Sequence, residues 1–194
     1  MRDPNFFSGR LGNRLFQLAY LYAQVKDGTI QDLYLQDEKY FEKYAEDIKQ
    51  LFGDGIGYLT QVGVHVRRGA NPINPAEPKY SENPFYVNLS DTAYYERAMA
   101  EFPGENFLIF SDDPEFCKER FKGDNIQVME MGDEVEDFNL LASCRGIIGA
   151  NSSWSWWAAY LCPHSAKKIV FPSAKNWYSD GVERTKCPKE WIRI

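Results

Sequence analysis

Three short polar segments carry residue types that could bind an anionic group and stabilise its transfer. They are HVRRG at 65–69, FSDD at 110–113 and GANSS at 149–153, and each follows a run of apolar residues. Arginine bonds two phosphate oxygens at once through its planar guanidinium group. The N-terminus of a helix offers free backbone N–H groups to the same kind of ligand. If the segments end strands of one parallel sheet, they predict a phosphate-binding edge.

The segment HVRRG ends a predicted strand in which side chains alternate between two faces. Alternation places three valines on one face and both His65 and Arg67 on the other. We therefore expect Arg67 to bind a phosphate, with a solvated strand end and surface salt bridges as the alternative. Arg68 points the opposite way or begins the following loop, and we include it among the candidate ligand-binding residues.

The segment GANSS precedes a helix, for which either Asn151 or Ser152 is the expected N-cap. The first turn then combines free N–H groups, a partial positive charge and the hydroxyls of Ser152 and Ser153. Capping of the helix explains only one of the three serines Ser152, Ser153 and Ser155, so the other two need another explanation. We take all four side chains as candidates for binding an anion.

The tryptophans of the same helix divide into two groups by their spacing. Trp154 and Trp157 share a stripe with Ala158 and Leu161, which predicts that all four pack in the core. Trp156 lies off this stripe. We expect it to face a ligand or a second lobe.

The aspartates next to these segments are assigned other tasks than metal binding. Asp113 precedes Pro114 and is the expected cap of the next helix. Asp112 is expected to orient a neighbour at the strand end. No further cluster of carboxylates or histidines supports a metal, so we predict none. By its pattern alone, Asp137 is a surface carboxylate in the company of Glu134 and Glu136.

A further candidate segment, SGRLGN at 8–13, stands before the first predicted helix. Its two glycines, Gly9 and Gly12, could let the backbone approach a phosphate. Asn13 would lie at the helix start, where its amide either donates to an anionic oxygen or caps the helix.

The elements that position these segments are visible in the periodicity of the chain. From residue 61 onward, strands rich in valine and isoleucine alternate with helices, which predicts a parallel sheet with helices on its faces. One of these helices is predicted at 90–102, capped by Ser90 or Asp91. Four prolines predict a long loop at 71–90. We place a boundary near residue 60, giving a reduced N-terminal lobe (1–60) and a Rossmann-like domain (61–194).

Composition excludes several classes of function. The 194 residues carry a net charge of −6 with no basic block, so binding to nucleic acid or a membrane surface is not expected. Neither a membrane span nor a signal peptide is recognisable, which predicts a soluble cytoplasmic protein. The four cysteines form no C-x-x-C pair, and Cys144 and Cys162 are expected to be buried thiols.

The motifs together resemble glycosyltransferase family 11, the inverting α-1,2-fucosyltransferases and their relatives. The matching segments are GRLGNRLFQLA, HVRRG, FSDDPEF, DFNLLASCRGIIGANSSWSWWAAYL and KKIVFPSAKNW, in the family's order. The segment LQDEKYFEKYAEDI also resembles the family, which usually has many more residues before it. The resemblance implies a truncated GT-B-type glycosyltransferase whose Rossmann-like lobe holds GDP-fucose.

The resemblance also implies roles for individual residues. His65 helps to hold the guanine nucleotide, and Arg67 grips the pyrophosphate. Asp137 reads the guanine edge, which replaces the surface interpretation of that residue. The adjacent serine pair contacts the phosphates, and Asn13 faces the donor across the cleft. No cofactor beyond the donor substrate is implied.

These expectations lead to one principal function and two alternatives. The principal one is metal-independent transfer of fucose from GDP-fucose to a sugar hydroxyl, with α-1,2 linkage to a galactoside. The family usually has aspartate where Ala70 stands. That departure and the short N-terminal half favour an impaired GDP-sugar-binding relic as the alternative. A small structural module that binds nothing is the third hypothesis. Acceptor binding is expected to be reduced, or completed by the loop at 71–90 or by a second subunit in a homo-oligomer.

Overall fold

The fold is organised around a six-stranded parallel sheet in the order β3-β2-β1-β4-β5-β6. The computed structural model describes residues 11–27, 36–69, 78–130 and 132–194. The strands are β1 Val62–Val66, β2 Phe107–Ser111, β3 Ile126–Val128, β4 Gly146–Ile148, β5 Lys168–Phe171 and β6 Ile192–Arg193. The helices are α1 Leu11–Asp27, α2 Ala45–Phe52, α3 Tyr94–Ala100, α4 Pro114–Arg120, α5 Glu134–Ser143, α6 Ser153–Leu161 and α7 Ala174–Trp177. The predicted α/β fold with a Rossmann-like parallel sheet is confirmed.

Strand β1 lies at the centre of the sheet, and all five of its residues are buried. Val62 pairs with Phe107 of β2 on one side and with Gly146 of β4 on the other. From β1 the chain builds the sheet outward through β2 and β3, and it then returns to build the other half from β4. A parallel sheet with this order has a crevice at the carboxyl ends of its two central strands, β1 and β4.

Each face of the sheet has its own hydrophobic core. On one face, α1 and α2 pack in the same cluster as α5 and α6, and Phe16 and Trp157 lie at its centre. On the other face, α3 and α4 cover the valines of β1 through Tyr94, Tyr95 and Cys117. The division of the chain near residue 60 stays a prediction, although the helices before it share a core with those after it.

Two predictions about buried and capping groups are confirmed. Cys144 and Cys162 are both buried thiols, and burial raises the pKa of Cys144 to about 12. Asp113 caps α4 by accepting a hydrogen bond from the backbone N–H of Phe116, with Pro114 as the first helical residue.

The start of α3 and the presence of β6 differ from expectation. Helix α3 begins at Tyr94, after a separate 3-10 turn at Leu89–Asp91, so neither Ser90 nor Asp91 caps it. The Thr92 hydroxyl accepts from the N–H of Tyr94 and breaks the run between turn and helix. The sequence did not predict β6, because two residues are too few to show alternation.

Several predicted features lie outside the described residues. They are Gly9, Ala70 and the first part of the proline-rich loop. The described remainder of that loop returns to β1, where the N–H groups of Tyr80 and Ser81 donate to the carbonyls of Gly69 and Arg68. Within the described ranges, no helix combines the length and the apolar character needed to cross a bilayer.

Candidate functional site

The end of β1 and the start of α6 meet at one edge of the sheet. Val64 of β1 pairs with Ile148, the last residue of β4, so the segments that follow both strands emerge side by side. Tyr80 joins them, because its ring lies 5.0 Å from the Arg67 guanidinium carbon and its hydroxyl donates to the Asn151 carbonyl. The structure therefore brings Arg67 and the tip of α6 together in the predicted crevice.

The Arg67 side chain is held in place before any ligand binds. It forms an ion pair with Asp112, and the two side chains are only 9% and 14% exposed. Asp112 also accepts a hydrogen bond of 2.8 Å from the N–H of Arg68, which fixes the carboxylate. Asp112 thus orients its neighbour as predicted, and Arg67 does not end in a solvated surface salt bridge.

Arg68 lies on the opposite side of the sheet from His65. Its guanidinium carbon is 3.5 Å from the centre of the Phe116 ring, and its Nε donates to Asp113 at 3.4 Å. Phe116 packs against the core formed by α3 and α4. This corrects the expectation that Arg68 binds the donor, because its guanidinium packs on Phe116 and bonds to Asp113 on the face covered by α3 and α4.

His65 lies beneath the first turn of α6. It is 6% exposed, and its ring centre is 4.7 Å from that of Trp154. Trp154 also makes an edge-on contact with Phe138 of α5 at 5.7 Å. Within the described part of the chain, the buried indole N–H of Trp154 has no hydrogen-bond acceptor. Trp154 packs against the core as predicted, although part of its surface is exposed.

The tip of α6 remains accessible. Ser152 is the N-cap, and its Oγ accepts from the N–H of Trp154 at 3.3 Å. The Ser153 hydroxyl donates to the Asn13 side-chain oxygen at 2.7 Å. Both serines keep part of their surface exposed. An anion could therefore reach the first turn of the helix.

Two of the polar residues predicted to bind the anion are internal. The Ser155 hydroxyl is fully buried and bonds to the backbone of Ala150. The Asn151 amide is also buried and donates to the carbonyls of Val87 and Trp177, which fastens the end of the proline-rich loop. These contacts correct both predictions, because a side chain used inside the fold does not meet a ligand.

Trp156 does not face a ligand. It is fully buried, its indole N–H donates to the Lys186 carbonyl at 2.8 Å, and its ring packs 4.5 Å from that of Phe16 in α1. The prediction of a ligand contact is corrected. Trp156 packs instead against the N-terminal part of the chain. Trp156 and Trp157 are both fully buried although they lie on different faces of α6, because most of this helix is apolar, so the apolar stripe could not show which tryptophan keeps some exposed surface.

Gly12 and Asn13 approach the tip of α6 from the other side. A Cβ atom on Gly12 would overlap the backbone of Ser153 and Trp154. The missing side chain therefore permits contact between two helices, which corrects the expectation that Gly12 approaches a phosphate. Asn13 lies directly beside the tip, where its oxygen accepts from Ser153 and from Gln36.

Asp137 is 4% exposed, so the interpretation of this residue as a surface carboxylate is wrong. It lies near the start of α5, where it accepts a hydrogen bond of 3.1 Å from the N–H of Gly132. Burial raises the pKa of the Asp137 carboxyl above its ordinary value. The next residue, Phe138, contacts Trp154 of α6.

The sequence analysis missed Tyr80 and Gln36. Tyr80 lies in the proline-rich loop, and its partner Asn151 is 71 residues away. Gln36 bonds to Thr185, which is 149 residues away. No local pattern signals such contacts. Among the described residues, no group of three or more His, Cys, Asp or Glu side chains could hold a metal ion.

The comparisons identify relatives among bacterial and animal glycosyltransferases. An alpha-1,2-colitosyltransferase of Escherichia coli is 28% identical over 180 residues, which cover 82% of this chain and 60% of that protein. The O-antigen biosynthesis glycosyltransferase WbnK of Escherichia coli is 26% identical over 196 residues, which cover 88% of this chain and 62% of that protein. Galactoside alpha-(1,2)-fucosyltransferase 1 of Homo sapiens is 34% identical over 112 residues, which cover 53% of this chain and 29% of that protein.

The chain thus spans about three fifths of the length of the two bacterial relatives. No solved structure matches it. Residues 16–194, which include β1, α6 and the crevice between them, match glycosyl transferase family 11. The protein therefore belongs to glycosyl transferase family 11.

Proposed function

We propose that the protein transfers fucose from GDP-fucose to a sugar hydroxyl, with inversion and without a metal ion, forming an α-1,2 linkage to a galactoside. The observation that carries this proposal is the meeting of Arg67 and the α6 tip in one crevice. The names of the relatives support it, since they include an alpha-1,2-colitosyltransferase and a galactoside alpha-(1,2)-fucosyltransferase.

The arrangement suits a reaction in which negative charge develops on a departing diphosphate. When the bond to the anomeric carbon breaks, the leaving oxygen gains charge and the sugar becomes positive. The Arg67 guanidinium and the N–H groups at the start of α6 would stabilise that oxygen. The Ser152 hydroxyl could donate a further hydrogen bond, because its own oxygen accepts the capping bond. A single preorganised donor of this kind is worth roughly 10²–10³ in rate.

Recognition of the base is assigned to Asp137. In its ionised form the carboxylate would accept two hydrogen bonds from the N–H groups of one guanine edge. Its burial makes such bonds stronger than they would be in water. Binding a ligand that donates two hydrogen bonds would also offset the cost of keeping the charge buried.

One alternative donor and one alternative function have specific support. A colitosyl group is the alternative donor sugar, because the name of one relative specifies colitose. A GDP-sugar-binding protein with impaired catalysis is the alternative function, because Ala70 stands where the family usually has aspartate.

Binding of GDP to variants of the two adjacent arginines tests the proposed phosphate site. Arg67→Met alone would leave Asp112 without its partner, so the informative variant is the double change Arg67→Met/Asp112→Asn. We expect it to lower GDP affinity by about 10- to 100-fold in calorimetry. The matched control is Arg68→Met, for which affinity should stay within about threefold. Equal losses in both variants would contradict the assignment of the phosphate to Arg67.

Turnover separates the two functions. Wild-type protein is incubated with GDP-fucose, GDP-mannose or UDP-sugars and a panel of galactosides, and release of the nucleotide is measured. Acceptor-dependent release of GDP from GDP-fucose alone supports the transferase. Tight binding of GDP without release above background would favour the impaired binding protein.

A further inference from the structure

A chain of buried hydrogen bonds leads from the C-terminal region to Asn13. The Thr185 hydroxyl donates to the Gln36 side-chain oxygen at 2.5 Å, and the Gln36 amide donates to Asn13 Oδ1 at 3.0 Å. The Tyr178 hydroxyl lies 2.8 Å from that of Thr185 and must be the donor, because the Thr185 proton is already used. Gln36, Thr185 and Tyr178 are 7%, 1% and 2% exposed. Asn13 Oδ1 also accepts from Ser153 at 2.7 Å.

This arrangement fixes which end of the Asn13 amide is available. A side-chain carbonyl oxygen has two acceptor positions, and Gln36 and Ser153 occupy both. The Asn13 Nδ2 group keeps two N–H donors, for which no described residue supplies an acceptor. Ser153 ties the amide to the first turn of α6. The remaining donors of Asn13 are therefore held beside the helix tip, where they add to its free N–H groups.

We propose that Gln36 and Thr185 are positioning residues that set the Asn13 amide to donate to a diphosphate oxygen at the α6 tip. This inference rests on the proposed function. Each residue from Tyr178 through Thr185 and Gln36 donates its hydrogen bond to the next. Because the last donor is the Gln36 amide, the Asn13 oxygen must face it, and the Asn13 amide keeps one orientation. Without Gln36, the amide could rotate and present its oxygen to the anion, which would repel it.

The test compares GDP with guanosine, which lacks the diphosphate. GDP affinity is measured by calorimetry and guanosine affinity by ligand-detected NMR, for the wild type, Gln36→Leu and Thr185→Val. We expect both variants to bind GDP about 10-fold more weakly and guanosine unchanged. Thr185→Ser keeps the hydroxyl and should bind both ligands like the wild type. Thr185→Val nearly preserves the side-chain volume, so it still tests the positioning role if Gln36→Leu does not fold.

A double-variant cycle checks that the effect passes through Asn13. Asn13→Ala should weaken GDP binding by about 10-fold, and adding Thr185→Val should weaken it no further. Unchanged GDP affinity in Gln36→Leu and Thr185→Val, equal losses for GDP and guanosine, or additive losses in the double variant would each overturn the positioning role. If the wild type itself bound no GDP, the proposed function would fail, together with the ligand assigned to Asn13.

Discussion

Two adjacent serines at the tip of α6 use their hydroxyl protons differently. Ser152 accepts a hydrogen bond from the N–H of Trp154, and its proton is available to a ligand. Ser153 donates its proton to Asn13, so its oxygen can only accept from any other group. Of the pair, Ser152 is thus the residue suited to donate to an anion, and Ser153 holds the asparagine beside it.

At the same scale, Asp137 is expected to link nucleotide recognition with stability. Because burial raises its pKa in the folded state, the folded protein binds this proton more tightly than the unfolded chain does. Stability is therefore lost as pH rises from the ordinary value of 3.8 through the raised folded pKa. Asp137→Asn should raise the melting temperature at pH 7 by about 1–3 °C and by less at pH 4. The variant should also lose any preference for GDP over ADP.

The control for Asp137 is an exposed carboxylate on the same helix. Glu136→Gln removes the same charge from an exposed side chain of the same first turn, so it should not raise the melting temperature and should leave the nucleotide preference unaltered. A lower melting temperature for Asp137→Asn at pH 7 would mean that the ionised carboxylate stabilises the free protein. A retained preference for GDP would assign base recognition to another group.

At the scale of elements, α6 is fixed at both ends by distant parts of the chain. At its N-terminus, α1 contributes the close backbone contact of Gly12 and the hydrogen bond of Asn13. At its C-terminus, Lys167 Nζ donates to the carbonyls of Ala159 and Cys162 at 3.0 and 2.9 Å, which favours the negative end of the helix. Contacts from distant parts of the chain therefore hold the helix tip at the crevice.

Gly12→Ala tests the contact between α1 and α6. The added methyl group meets backbone atoms, which cannot rotate away as a side chain would. We expect the free energy of unfolding to fall by about 2–3 kcal/mol in chemical denaturation, with a loss of GDP affinity because the α6 tip shifts. In Gly57→Ala the nearest atom to the new methyl group is the Ser143 hydroxyl at 3.7 Å, so this control should change stability by less than about 0.5 kcal/mol. Equal stability of the two variants would rule out a tight contact at Gly12.

At the scale of the molecule, the helices before β1 are part of the main core. Phe41 is stacked on Trp157 of α6 with ring centres 5.3 Å apart, and it also meets Phe16 and Tyr160 edge-on or tilted. Apolar contacts of this density couple the N-terminal segment to the sheet. We therefore expect the described parts of the chain to unfold together.

Phe41→Ala tests this coupling. Removal of a fully buried aromatic side chain should lower the free energy of unfolding by about 3–5 kcal/mol, and the calorimetric trace should keep a single transition. Leu51→Ala in α2 changes a residue that is 56% exposed and should have a small effect. A second, low-temperature transition in the Phe41 variant would show that the segment before residue 60 unfolds as a separate unit.

The sequence by itself determined most of the elements and the edge at which they meet. The evidence for these elements is local. Apolar side chains recur every 2 residues in strands and every 3.6 residues in helices, and the caps of α4 and α6 lie next to the helices that they begin. These features sufficed to place Arg67 and the serine pair at the carboxyl ends of a parallel sheet.

Only the tertiary structure decided which polar side chains face the crevice. The hydrogen bond between Ser153 and Asn13 spans 140 residues, and that between Thr185 and Gln36 spans 149. The local sequence around each of these residues gives no indication of its hydrogen-bond partner. Ser155 and Asn151 are residue types that often bind ligands, yet both side chains form hydrogen bonds with backbone groups inside the fold. A buried polar group must be paired, and the partner it finds depends on where the whole chain brings its elements together.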